Sequence, residues 1–326
     1  ADRADPQPGP GEALIRVHAA GICATDVATL EGRSTVAPYP ITPGHEFAGR
    51  VERAPTASGV RPGDWVTIYP TTGCGSCRAC AEGLANHCTG FRVFGVHRDG
   101  GAFAEWMVVP AGQLIPLPPA LRNERGALVE PSAVAVHAVR RAAQQEGARV
   151  AVIGAGSIGL LVGQAAASAG AAAVVMADRM PARAAQAAGL GLDRFVDTGD
   201  GDLGQRLAET AGGPLDIVYD AVTNRQTLAE GVRALRPAGT LVAIGFPHDR
   251  DDIPLAYADA YRAEVSLVLS RNYAPADFAE AIRLIETGAI DAGRMITGSW
   301  PLEAFGEALD SLKADPAGHI KVLITP

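Results

Sequence analysis

The chain has no basic stripe. Its 326 residues hold 28 Lys and Arg against 36 Asp and Glu, a formal net charge of −8. Nothing is therefore available to displace the counterions of a nucleic acid or to hold an anionic membrane, and neither is expected as a partner. Cysteine is scarce as well: of five, four lie in the stretch "GCGSCRACAEGLANHC" from Gly73 to Cys88. The opening "ADRADPQPGPG" has neither an initiator Met nor the apolar run of a signal peptide. The chain is thus expected to begin inside its natural sequence and to work in a reducing, cytoplasmic compartment, where disulfides are rare. Charge is absent altogether between Val150 and Ala177. That run has the length of a membrane span, but Ala, five glycines, Ser157 and Gln164 make it a poor one.

What is present is an ordinary globular composition, 48% hydrophobic and 20% charged, in a chain long enough for two domains. Two textures divide it. Residues 12 to about 116 carry short β-branched runs ("ALIRVHAA", "EFAGRVE", "DWVTIY", "EWMVVP") separated by Pro-Gly turns, which predicts a compact antiparallel β-rich unit. From about 148 to 270, apolar strands ("RVAVI", "AVVMA", "DIVYD", "GTLVAIGF") alternate with helical segments, from Ser157, near Ala182–Ala188 and near Gln226–Leu235. Such alternation predicts a parallel sheet covered on both faces. Two amphipathic helices, near Phe278–Thr287 and Leu302–Lys313, and a strand, "KVLIT", follow.

"VAVIGAGSIG" sets Gly154, Gly156 and Gly159 in a G-x-G-x-x-G pattern, with Ser157 and Ile158 between them. The pattern arises by chance in Gly-rich chains. Here it follows an apolar strand, opens an uncharged helix, and precedes a second strand that ends at Asp178. That context is what a dinucleotide site requires: a tight turn, close approach of the pyrophosphate, and an acid for the ribose hydroxyls. Asp178 favours NAD, because a carboxylate repels the 2′-phosphate of NADP; Arg179 and Arg183 keep NADP open as the lesser option.

Cys74, Cys77, Cys80 and Cys88 follow a C-x2-C-x2-C-x7-C spacing. Four thiolates so close can converge on one tetrahedral ion, whereas disulfides between them would be cramped. A closed thiolate cage reads as structural zinc. An iron–sulfur cluster can use similar spacing, but Arg78, Glu82 and Asn86 give no reason to prefer it. The remaining Cys23 in "AAGICATD", His45 and Glu46 in "PGHEF", and Glu130 in "LVEPSAVAVHA" are residue types that suit a catalytic zinc with an open position. Taken singly, each also reads as buried filler or a satisfied polar group.

The order of "GICATD", "PGHEFAGRV", the four-cysteine stretch, "GGAFAEWMVVP", "LVEPSAVAVHA" and "VIGAGSIG" resembles the zinc-dependent medium-chain alcohol dehydrogenase family, above all its sorbitol/polyol and threonine dehydrogenase branches. The resemblance spans essentially the whole chain. It implies an α/β protein with a GroES-like β-rich catalytic domain, residues 1–130 plus 271–326, and a Rossmann NAD-binding domain, 131–270, with the site in the cleft between them. It implies two zinc ions per chain, one structural and one on Cys23, His45 and either Glu46 or Glu130. Thr25 matches the hydroxyl residue that takes the substrate proton, Asp26 the acid that orients the ligating histidine, and His97, Arg271 and Tyr273 match pocket-lining positions. The reaction implied is hydride transfer between a secondary alcohol and NAD by a homo-oligomer, dimer or tetramer. Two departures stand out: Ala24 replaces a usual Gly, and Ala28 occupies the place of a proton-relay histidine. Two rival readings are a metal-free quinone-reductase-type NADPH enzyme, opposed by the cysteines and His45, and a zinc-ribbon binding module, opposed by the charge and the dinucleotide pattern.

Overall fold

The computed structural model of the protein describes residues 5–199, 201–246 and 252–326. In chain order the strands are β1 (Glu12–Gly21), β2 (Glu46–Arg53), β3 (Trp65–Ile68), β4 (Thr71–Thr72), β5 (Arg92–Val93), β6 (Trp106–Pro110) and β7 (Leu114–Pro116). Then follow β8 (Arg149–Ile153), β9 (Ala173–Asp178), β10 (Arg194–Asp197), β11 (Leu215–Asp220), β12 (Leu235–Ala243), β13 (Ser266–Leu269), β14 (Ile296–Pro301) and β15 (Lys321–Thr325).

The first compact unit comprises Ala1–Pro131, Ala274–Glu286 and Met295–Pro326. Its main sheet runs β14-β15-β1-β2-β3-β7, with β6 paired to β1. In the centre of β1, Ile15 and Val17 are buried while Arg16 and His18 point outward, the two-residue alternation of a sheet with one packed face. Ala13, Ile15 and Val17 join Phe47, Val66, Ile68, Met107, Val322 and Ile324 in one core. The strands within residues 12–116 pair antiparallel as expected, and the sheet becomes mixed at the edge that the C-terminal stretch adds. β14 and β15 are parallel, because the helix Phe305–Ala314 between them carries the chain back across.

The second unit comprises Ser132–Tyr273 and Thr287–Arg294, so the returning C-terminal stretch is interrupted by eight residues that pack here. Its six strands are all parallel, in the order β10-β9-β8-β11-β12-β13. β8 is buried at four of five positions, as expected of a strand covered on both faces. Leu207, Leu215, Val218, Leu228, Val232 and Leu241 lie in the core that the helices complete. The helix Leu203–Ala211, which the sequence reading passed over, has its own signals. Asp202 accepts from the Gln205 amide at 3.0 Å, and Gly212 ends the helix in the left-handed conformation.

Candidate active site

Cys23 stands where β1 gives way to the helix Ala24–Leu30. Asp26, in the first turn of that helix and fully buried, accepts from the Cys23 amide at 2.9 Å through one carboxylate oxygen. The other accepts from the Gly44 amide at 3.1 Å and lies 3.5 Å from His45 Nδ1. One carboxylate thus ties together two segments that are far apart in sequence. Gly44 has φ +101° and no room for a Cβ, which would press on the Phe103 and Ala102 amides. The turn that delivers His45 therefore needs glycine. Glu46 opens β2 opposite Gly21, and a side chain at Gly21 would collide with the Glu46 carboxylate.

The result is that ligand atoms of Cys23, His45 and Glu46 all lie within 4.8 Å of one another. His45 Nδ1 is buried without a hydrogen-bond partner. Burial works against protonating this imidazole, but Asp26 and then Cys23 outweigh it and raise the His45 pKa well above the ordinary value. Thr25 is half-buried beside Cys23 and its carbonyl accepts from Thr29 Oγ1 at 2.9 Å. Ala28 is buried. Glu130 is 5% exposed, at the start of the helix Val129–Arg141, and lies outside the 4.8 Å group.

One member of this environment escaped the sequence reading. Lys321, 3% exposed at the start of β15, donates to both Glu46 carboxylate oxygens, at 2.9 and 2.6 Å, and to the Ile22 carbonyl at 3.2 Å. Burial opposes the ammonium charge, yet Glu46 foremost, then Cys23 and Glu130, hold its pKa above the usual lysine value. The signal available was a lysine opening an otherwise apolar run, "KVLIT". Lysine is almost never fully buried unless paired.

The second donor group is the four-cysteine lobe. Its cysteines are free thiols, with Cys74 and Cys80 Sγ 4.0 Å apart and Cys77 and Cys80 Sγ 3.6 Å apart. A tetrahedron of sulfurs at the zinc–sulfur bond length of about 2.3 Å has edges of about 3.8 Å, so the cage matches the ion. Cys88 Sγ accepts from the Cys74 and Gly90 amides, each at 3.3 Å. Hydrogen bonds from Ser76, Cys77 and Cys88 push the Cys74 thiol down to about 6. At Cys80 a Gly75 amide favours the thiolate, but burial and the three neighbouring sulfurs prevail and push it up to about 11. A side chain at Gly73 would collide with Cys80 Sγ, which is why the lobe begins with glycine.

In the second unit, the three glycines of the Gly-rich turn differ in what they are for. Gly154 has φ +98°, Gly156 faces open space, and a Cβ on Gly159 would collide with the Gly154 carbonyl oxygen. A tight turn, an open approach and a close helix–strand contact are what a dinucleotide cradle requires. The helix Ser157–Ser168 starts from Gly156 without a side-chain cap, and Ser157 Oγ is buried without a partner. Asp178, at the end of β9, accepts from the Ala155 amide at 2.7 Å and the Met180 amide at 2.9 Å, one on each oxygen. Arg179 is exposed, whereas Arg183 is buried and donates to Gln186 at 2.7 Å. Of the expected pocket residues, His97 belongs to the first unit, its ring centroid 4.9 Å from Phe91. Arg271, exposed, and Tyr273, 1% exposed, belong to the second.

A thiol–imidazole–carboxylate group, a thiolate cage and a dinucleotide cradle in one chain define a metal-assisted oxidoreductase. Comparison with known proteins narrows the class. The Alcohol dehydrogenase GroES-like domain model matches residues 9–119 and the Zinc-binding dehydrogenase model residues 157–287. L-galactonate-5-dehydrogenase of Escherichia coli K12 is 35% identical over 98% of this chain and 93% of its own. A short chain alcohol dehydrogenase from Escherichia coli CFT073, solved with NADH, superposes with a TM-score of 0.91 at 30% identity, over 99% of this chain and 94% of its own. A zinc-binding dehydrogenase from Sinorhizobium meliloti 1021, solved with NADP, gives 0.90 at 33% identity, over 98% and 94%. The chain belongs to the zinc-dependent medium-chain alcohol dehydrogenase family.

Proposed function

We propose that the protein is a zinc-dependent dehydrogenase that oxidises a secondary alcohol of polyol, sugar or sugar-acid type with NAD. The observation that carries the reading is the convergence of Cys23, His45 and Glu46 within 4.8 Å, with Asp26 pinning both of the segments that bring them together. A thiol, an imidazole and a carboxylate are the donors zinc takes at catalytic sites. Bound there, zinc lowers the pKa of an alcohol hydroxyl; bound in the cage, it holds the lobe together. NAD would supply the hydride acceptor, its pyrophosphate held by the Gly-rich cradle.

The chain's own residues account for the rest. Asp26 fixes the orientation of His45. Thr25, next to Cys23, is the hydroxyl through which the substrate proton leaves. Ala28 carries no group that could take that proton further, so it passes to water. Glu46 is the carboxylate of the cluster at rest, with Lys321 compensating part of its charge; Glu130 is the alternative donor. Asp178, its oxygens already fixed by two amides, presents a carboxylate suited to two ribose hydroxyls and opposed to a 2′-phosphate. His97, Arg271 and Tyr273 are the proposed substrate-facing residues. Among the described residues no helix is long and apolar enough to cross a membrane; we take the protein to act in the cytoplasm as a homo-oligomer, a dimer or tetramer. Incubation with NAD and a panel of polyols and sugar acids, followed at the NADH absorbance, tests the reading. Saturable NADH formation with at least one secondary alcohol is expected, and its absence across the panel in protein carrying two zinc ions overturns it.

A further inference from the structure

On the outward face of the first unit's sheet, four neighbouring strands contribute one residue each to a single row. Trp106 of β6 is paired with Arg16 of β1, Arg16 with Arg50 of β2, and Arg50 with Trp65 of β3. Directly opposed residues of antiparallel strands share a face, with Cβ atoms about 4.5–5.5 Å apart. Two arginines therefore stand side by side between two tryptophans. Both arginines are exposed and both tryptophans half-buried.

Opposed like charges destabilise a strand pair, and the two side chains diverge. Arg16 turns onto Trp106, its Cζ 5.9 Å from the ring centroid. Arg50 turns the other way, its Nη2 over Gly63 in the turn between β2 and β3. His18, at the irregularity in β1, lies edge-on to Trp65 at 4.8 Å and brings a further ring nitrogen to the same face. Neither arginine forms an ion pair among the described residues. Of the nearby acids, Asp64 is engaged by the Arg61 amide, and the exposed Glu52 and Glu105 form no ion pair with either.

We propose that Arg16 and Arg50, flanked by Trp65 and Trp106, form a binding site for a phosphate-type oxyanion, either inorganic phosphate or the phosphate group of a small ester. A guanidinium is a planar fork of donors matched to such an anion, and two forks on adjacent strands can swing back to hold it from both sides once it offsets their repulsion. The charges match: two cations face an anion carrying about −1.5 to −2 near neutral pH, where a carboxylate brings one. The ligand converts a repulsive pair into charge-assisted hydrogen bonds, while the Trp106 ring favours the Arg16 guanidinium from outside. The Gly154–Gly159 turn belongs to the other unit.

Equilibrium dialysis of the zinc-loaded enzyme against labelled inorganic phosphate, at constant ionic strength, tests the proposal. Two of the three tryptophans border the site, so intrinsic fluorescence reports where the anion binds. Saturable binding with a fluorescence change is expected. Arg16→Met or Arg50→Met should each weaken it about tenfold, the loss of one hydrogen bond to a charged group. Arg50→Lys should retain part of it, and the double Met variant should abolish it while alcohol oxidation is retained. Tighter binding of glycerol phosphate than of inorganic phosphate assigns the ligand to a phosphate ester; equal binding assigns it to the free ion. The proposal is overturned if chloride reproduces the response, if binding survives in the double variant, or if only a poly-glutamate peptide binds.

Discussion

Replacing Lys321 by Met removes the ammonium group paired with Glu46 in a setting where Glu46 is 1% and Lys321 3% exposed. Three hydrogen bonds go with it, two to the carboxylate at 2.9 and 2.6 Å and one to the Ile22 carbonyl at 3.2 Å. Met fills much the same volume, so the cost is almost wholly electrostatic. Removing one partner of a buried ion pair costs about 3–5 kcal/mol, because the other charge stays behind uncompensated. That loss should appear in denaturant unfolding of the first unit, followed in metal-free protein. Glu46→Gln in the Lys321→Met background should recover a large part of it, since the orphaned charge is then gone, giving a coupling of at least about 1 kcal/mol in the double-mutant cycle. The pH dependence has a definite sign. The Lys321 pKa is raised on folding, so the pair's contribution is complete below the unfolded lysine value of about 10.4 and is lost only as pH rises through the folded value. From about pH 6 to 9 the difference between wild type and variant should therefore stay level. A loss under about 1 kcal/mol, or strictly additive single and double variants, would refute the reasoning.

Three other outcomes follow from the same structure. Cys80→Ser breaks a cage whose sulfurs sit 3.6 and 4.0 Å apart and should release the structural zinc and lower the melting temperature; full zinc content in a stable variant contradicts the assignment. Thr25→Val should cut kcat by a factor on the order of 10²–10⁴ with little change in NAD affinity, as the loss of an acid–base step; a smaller drop means that water reaches the substrate proton unaided. Asp178→Ala should narrow or reverse a preference for NAD over NADP in kcat/KM, because the carboxylate held by the Ala155 and Met180 amides no longer faces the 2′-phosphate; unmodified protein that uses NADP equally well shows that Arg179 and Arg183 govern the ribose pocket.

Local signals carried much of this architecture in the sequence itself. Gly154 and Gly159 announce their turn because a positive φ at the first and a close contact at the second exclude a side chain, Gly156 keeps the approach open, and Asp178 follows at the end of the next strand. The four cysteines are equally plain, since seven residues hold three of them. Cys23, His45 and Glu46 are different. Each has an unremarkable reading on its own, and what unites them is the bulk of the β-rich fold together with Asp26, whose two oxygens reach an amide in each segment. Only the family resemblance brought them together beforehand. The partner of Lys321 was illegible because it lies 275 residues away, and pairings at that range are decided by sheet order. β10 and β13, the two edge strands of the second sheet, were also missed by the sequence reading. The Arg16–Arg50 row is invisible in the sequence for the same cause as Lys321, being a matter of strand register.

The most direct test of the central claim is zinc content measured alongside turnover in Cys23→Ala. Cys23 belongs to the Cys23–His45–Glu46 group and lies outside the four-cysteine group. The expected result is a fall from two zinc ions per chain to one, loss of alcohol oxidation, and NADH binding unchanged. A variant that keeps both ions, or one that loses an ion and still turns over near the wild-type rate, contradicts the account.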